Sequence, residues 1–118
     1  MADLLVEGDE LVVHLSGFEK AEAAHGNVRV PLASISSVRT VADAWPELRG
    51  IRAPGTGIPN HVAVGTRRGS FGKDFVVVHG KGSAVIVELE VDAAYSRIIA
   101  TDEKAFDTAA AIEAARRG

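Results

Sequence analysis

The chain contains no cysteine, which excludes disulfides, thiol catalysis and thiolate metal sites and leaves nothing that points to an oxidising compartment. No apolar run approaches the roughly 18 residues of a membrane span. Met1-Ala2-Asp3-Leu4-Leu5-Val6-Glu7 places acids where a secretory signal needs a basic flank. A cytoplasmic address without a transmembrane segment is therefore the expectation. Catalytic signatures are missing too. None of His14, His25, His61 and His79 is paired at i, i+4 spacing and there is no HExxH, so no metal site is expected. The serines lack the glycine-flanked elbow of a hydrolase, and spacing ties none of them to a histidine and an acid. With no convergent motif, neither enzymatic activity nor a cofactor is expected.

What is present is core material. With 118 residues, 47% hydrophobic and 25% charged, the chain suits one globular domain spanning 1–118. The net charge of −3 hides an asymmetry. Residues 48–82 hold Arg49, Arg52, Arg67, Arg68, Lys73 and Lys81 against Asp74 alone, a local +5, which leaves −8 for the remainder. The acidic total argues against a nucleic-acid partner, whereas the local basic face is large enough to hold a small anion.

Hydrophobic patterning is mostly of period two. Leu4 to Val6 and the alternating Leu11, Val13 and Leu15 flank Glu7-Gly8-Asp9, which predicts an opening hairpin. Helix formers then fill 18–25, ahead of Gly26-Asn27. Two brief strands, or one bent strand with a turn at Leu32-Ala33-Ser34, are expected at 28–31 and 35–41. Residues 44–60 hold Trp45, Pro46, Pro54, Pro59 and three glycines without a sustained period, and read as a long irregular loop of functional interest. Strands are predicted at 61–68, 73–79, 83–90 and 95–100, joined by short glycine-bearing links, and so arranged as an antiparallel meander. Val76-Val77-Val78 and Val85-Ile86-Val87 break alternation, as strands covered on both faces do. A C-terminal helix near 102–116, capped by Thr101 or Asp102, places Ala105, Phe106, Ala109 and Ile112 on one face. The expected core is Val13, Val30, Ile35, Val64, Val76, Val78, Val85, Val87, Ile98, Phe106 and Ile112.

About seven short antiparallel strands followed by one amphipathic C-terminal helix resembles the element order of pleckstrin-homology-like (PH-like) barrels. The wording of Val30-Pro31-Leu32 with Ile35 and Val38, of Trp45-Pro46 followed by Arg49 to Pro59, and of Asp74-Phe75-Val76-Val77-Val78 is similar to that of small bacterial PH-like proteins. The resemblance implies two roughly orthogonal sheets, with the short helix after the opening hairpin and the last helix closing one end. It also implies a non-enzymatic binding or scaffolding role and a tendency to self-associate, and it supplies no catalytic residues. Phosphoinositide-binding members place spaced basic residues in the loop after the first strand. Here Phe18-Glu19-Lys20-Ala21-Glu22-Ala23-Ala24-His25 carries two acids and one lysine, so the resemblance does not extend to that ligand.

Two functions follow as expectations. One is a module acting through contacts with a protein partner or with itself, in which Trp45 either anchors the partner or caps a local cluster with Leu48 and Ile51. The alternative is a binder of a small anionic ligand or lipid headgroup. In it, Gly55-Thr56-Gly57 lets backbone N–H groups approach the anion, and Arg49, Arg52, Arg67, Arg68 and Lys73 supply the charge.

Overall fold

A computed structural model describes residues 3–118. The opening hairpin joins β1 (Asp3–Glu7) to β2 (Glu10–His14), and β3 (Val28–Pro31) pairs with β2, giving an antiparallel sheet in the order β1-β2-β3. Between β2 and β3 lies α1 (Gly17–Ala23). Ser16-Gly17-Phe18-Glu19 is a capping box: the Ser16 hydroxyl accepts the Glu19 N–H, and the Glu19 carboxylate accepts the Ser16 N–H at 2.8 Å. Glu19 is buried, and its other carboxylate oxygen meets His79 Nε2 at 2.8 Å.

The second sheet contains β4 (Ile35–Val41), β5 (Ile51–Ile58), β6 (Val62–Gly69), β7 (Gly72–His79), β8 (Ala84–Leu89) and β9 (Arg97–Thr101), in the order β4-β8-β9-β7-β6-β5. Its hairpins β5–β6 and β6–β7 are antiparallel; the second has the glycine-bearing link that predicts it, whereas the first lies partly where a loop is expected. The meander fails after β7. Residues 80–83 carry the chain past a vacant position, β9 returns into it, and β7 and β9 run parallel. Two strand spacings are about 10 Å, which a four-residue link can cross, and period-two patterning does not name a strand's neighbour. Among the described residues the architecture is therefore mainly β, with nine strands in two sheets, two helices and no closed barrel.

The irregular loop expected at 44–60 is replaced by a 3-10 turn, Trp45–Glu47, and by β5. Pro54 falls where the β5–β6 register shifts between Arg52 and Gly55, so its missing N–H coincides with a bulge in an edge strand. Gly55 sits in this bulge with φ +152°, where a Cβ would lie 2.5 Å from the Val64 carbonyl oxygen.

Both faces of the six-stranded sheet are covered, which explains the unbroken valine and isoleucine runs. On one face Phe75, Val77, Val85, Val87 and Ile98 pack with Leu11, Val13, Val28 and Val30 of the smaller sheet, and with Ala105 and Ile112 of α2 (Ala105–Arg117). On the other, Ala63, Val76, Val78, Ala84, Ile86 and Ile99 form a second cluster under Trp45 and Leu48. Phe106 departs from the expected core: it is 81% exposed, because the buried stripe of α2 runs through Ala105 and Ile112. The helix start also differs. Lys104 is the N-cap and has no side-chain cap of its own, while Asp102 accepts the Lys104 N–H and the Thr108 hydroxyl from just outside. At the far end Arg116 donates to the carbonyls of Ile35 and Ser36, at 3.0 and 3.1 Å, where β4 begins.

The contrast between two phenylalanines provides a test. Replacing the fully buried Phe75 with alanine is expected to destabilise the fold by about 3–5 kcal/mol, whereas Phe106→Ala should stay within about 0.5 kcal/mol. Urea unfolding of the two variants measures both.

Candidate functional site

The outer face of the six-stranded sheet carries a row of charged residues. Register places Arg52 on β5 opposite Arg67 on β6, Arg67 opposite Asp74 on β7, Asp74 opposite Arg97 on β9, and Arg97 opposite Glu88 on β8. Cross-strand partners project from the same face, so five strands each contribute one charge to a line. The signs alternate from Glu88 to Arg67 and then repeat at Arg52.

Asp74 is fully buried and is held by Arg49, whose Nε and a terminal nitrogen donate to its two oxygens at 2.8 and 3.0 Å. Arg49 also stacks 3.9 Å over the Phe71 ring. The hydrogen bond to Asp74 raises the Arg49 guanidinium above its ordinary value, against the opposing effect of burial. Arg67 donates to the carbonyls of Arg49 and Gly50, at 3.0 and 3.1 Å. Gly50 has φ +79°, and a Cβ there would lie 2.5 Å from the Arg68 carbonyl oxygen, so a side chain is excluded where this segment meets β6. At the other end of the row, burial works to raise the Glu88 carboxyl, but hydrogen bonds from Arg97 and Arg39 hold it below its ordinary value. Arg39 reaches Glu47 as well, at 2.8 Å.

These bonds place Trp45. Its backbone N–H is held by Asp43, its indole N–H donates to the Gly80 carbonyl at 3.0 Å, and the half-buried ring packs against the outer cluster. Beside it runs an open groove of about 420 Å³, lined by Trp45, Leu48, Ile58, Pro59, Ala63 and Gly57, with Arg52 and Arg67 as its charged members. β5 forms the outer edge of the sheet along this groove, and its Ile51 and Ile58 are 77% and 53% exposed.

The residues singled out from sequence therefore divide. Trp45, Arg52, Gly57 and Arg67 line the groove together. Arg49 lies behind it, paired with Asp74. Gly55 serves the bulge, and Thr56 donates its hydroxyl to the Glu22 carbonyl at 2.9 Å, tying β5 to α1. Lys73 lies 4.7 Å over the Tyr95 ring, whose hydroxyl burial pushes to a higher pKa. Arg68 is paired with Lys73 in the β6–β7 register, on the face opposite the groove. The glycines thus answer to packing within the chain, and three of the guanidiniums bond its own carbonyls or carboxylates. Leu48, Ile58, Pro59 and Ala63 were missed, as were Glu88 and Arg97. Asp74 gave a usable signal as the lone acid of a basic stretch, whereas finding the others requires strand register.

No metal-binding cluster of three or more His, Cys, Asp or Glu side chains occurs among the described residues, and no helix among them is long and apolar enough to cross a membrane. No family model, curated protein or solved structure matches the chain.

Two measurements probe the row. Asp74→Ala is expected to cost about 1–3 kcal/mol by leaving Arg49 without its acceptor, with Trp45 fluorescence shifting to the red as the segment loosens. Glu88 and Glu19 both titrate below the ordinary carboxyl value of 4.5, so their contribution to stability is complete above that pH and is lost as pH falls through the lower folded values. Unfolding across an acid series should show this loss, and Glu88→Gln should make it shallower.

Proposed function

We propose that the protein is a non-enzymatic, cytoplasmic interaction module on a PH-like scaffold, and that it binds an extended segment of a partner protein along β5. The observation that carries this reading is the coincidence of an edge strand, two exposed isoleucines and a groove floored by Trp45. An added strand gains main-chain hydrogen bonds from the edge, and a neighbouring pocket selects its side chains. Trp45 suits the role of anchor because its N–H is already satisfied by Gly80 and its ring is held in place, so little freedom is lost on binding. The two-sheet β architecture and final amphipathic helix support the PH-like assignment, from which the parallel β7–β9 pair departs. A small anionic ligand is the weaker reading, because Arg49 and Arg67 are engaged by Asp74 and by backbone carbonyls.

Panning a library of displayed extended peptides against the whole chain tests the reading. Apolar-containing strands should be enriched, enrichment should fall at least about tenfold against Trp45→Ala, and the bound peptide should slow hydrogen exchange at β5 amides. Enrichment that is unchanged in Trp45→Ala, or that protects another element, counts against it.

A further inference from the structure

The row of charges ends abruptly. From Glu88 through Arg97, Asp74 and Arg67, each charge faces one of opposite sign, and then Arg52 and Arg67 stand directly opposite each other on β5 and β6. Like charges in register are destabilising, and no carboxylate among the described residues lines the groove these two arginines share. The strand carries no acid either: β5 reads Ile51-Arg52-Ala53-Pro54-Gly55-Thr56-Gly57-Ile58. A second copy pairing β5 with β5 would therefore bring no carboxylate to neutralise the two arginines.

Arg52 has an acceptor within its own strand. It donates to the Gly57 carbonyl at 2.9 Å, and its side chain lies so close over Gly57 that a Cβ there would meet a guanidinium nitrogen at 2.8 Å. The Ile58 carbonyl is used in the turn to β6, where it accepts the His61 N–H at 2.9 Å. Successive residues of a strand direct their peptide groups to opposite sides, so the Gly57 carbonyl faces the open edge. Arg52 thus covers an edge acceptor that an incoming strand would need.

We infer that the partner strand is acidic: a carboxylate side chain opposite Arg52 draws its guanidinium away from Gly57, and the freed Gly57 carbonyl then accepts a backbone N–H of the same strand. The inference rests on the strand-docking reading above and specifies its partner. One carboxylate both continues the alternation of the row and uncovers the edge, so a strand lacking it meets a covered carbonyl and an uncompensated charge pair. A carboxylate on guanidinium forms two parallel hydrogen bonds, which a neutral amide does not reproduce.

The test uses the whole chain and three synthetic strands of about eight alternating threonine and valine residues that differ at one central position: glutamate, glutamine or lysine. At low salt the glutamate strand should bind at least about tenfold more tightly than the glutamine strand, with the lysine strand weakest. Arg52→Gln, a change at an exposed position, should abolish that preference, so that the glutamate and glutamine strands bind alike. Equal binding of the glutamate and glutamine strands, or a preference that survives in Arg52→Gln, overturns the acidic-partner inference and leaves strand docking standing. Binding of none of the three strands, or β5-dependent self-association of the chain alone, overturns both.

Discussion

A carboxylate with no access to water must be satisfied by the protein, and Asp74 is satisfied by Arg49 alone among the side chains whose hydrogen bonds to it are described. That bidentate pair fixes the segment between β4 and β5 against the outer face of the sheet. Arg67 then fastens the same segment through the Arg49 and Gly50 carbonyls, and Gly50 permits the close approach. With the segment held, the Trp45 ring comes to rest over Ala63 and the outer valines and isoleucines. The groove therefore depends on charge burial together with the bonds of Trp45 to Asp43 and Gly80: the pair fixes the segment that follows its tryptophan wall.

The small side chains beneath that wall are part of the same arrangement. Ala63 and Ala84 are the small members of the outer cluster on which Trp45 and Leu48 pack. The inner face is built differently, with Phe75, Ile98 and the valines of β7 and β8 meeting a second sheet and a helix. One sheet thus supports two unlike coverings. The deep one contributes most of the apolar burial, and the shallow one displays the arginines and the tryptophan.

Much of this was legible beforehand. Unbroken Val76-Val77-Val78 and Val85-Ile86-Val87 pointed to strands covered on both faces, and the helix formers at 18–25 pointed to α1. Local chemistry carries such signals because each depends on residues a few positions apart. The insertion of β9 between β7 and β8 was not legible, since a strand's period says which face is buried and not which strand lies beside it. Prolines and glycines at 44–60 read as loop because a bulged edge strand tolerates the residues that break a central one. The same limit applies to the site. Trp45, Arg52 and Arg67 stood out by residue type, but their alignment with Asp74, Arg97 and Glu88 is a property of register across five strands, and it has no counterpart in linear spacing.

The two outer edges of the large sheet are treated unequally. At β4 the final turn of α2 lays Arg116 across the Ile35 and Ser36 carbonyls, and the helix packs alongside. At β5 a single exposed arginine covers one carbonyl. The start of β4 is thus covered by the chain itself and β5 is the more open flank. Under the proposed strand docking, growth would be favoured on one flank only, which works against propagation from molecule to molecule into a fibre.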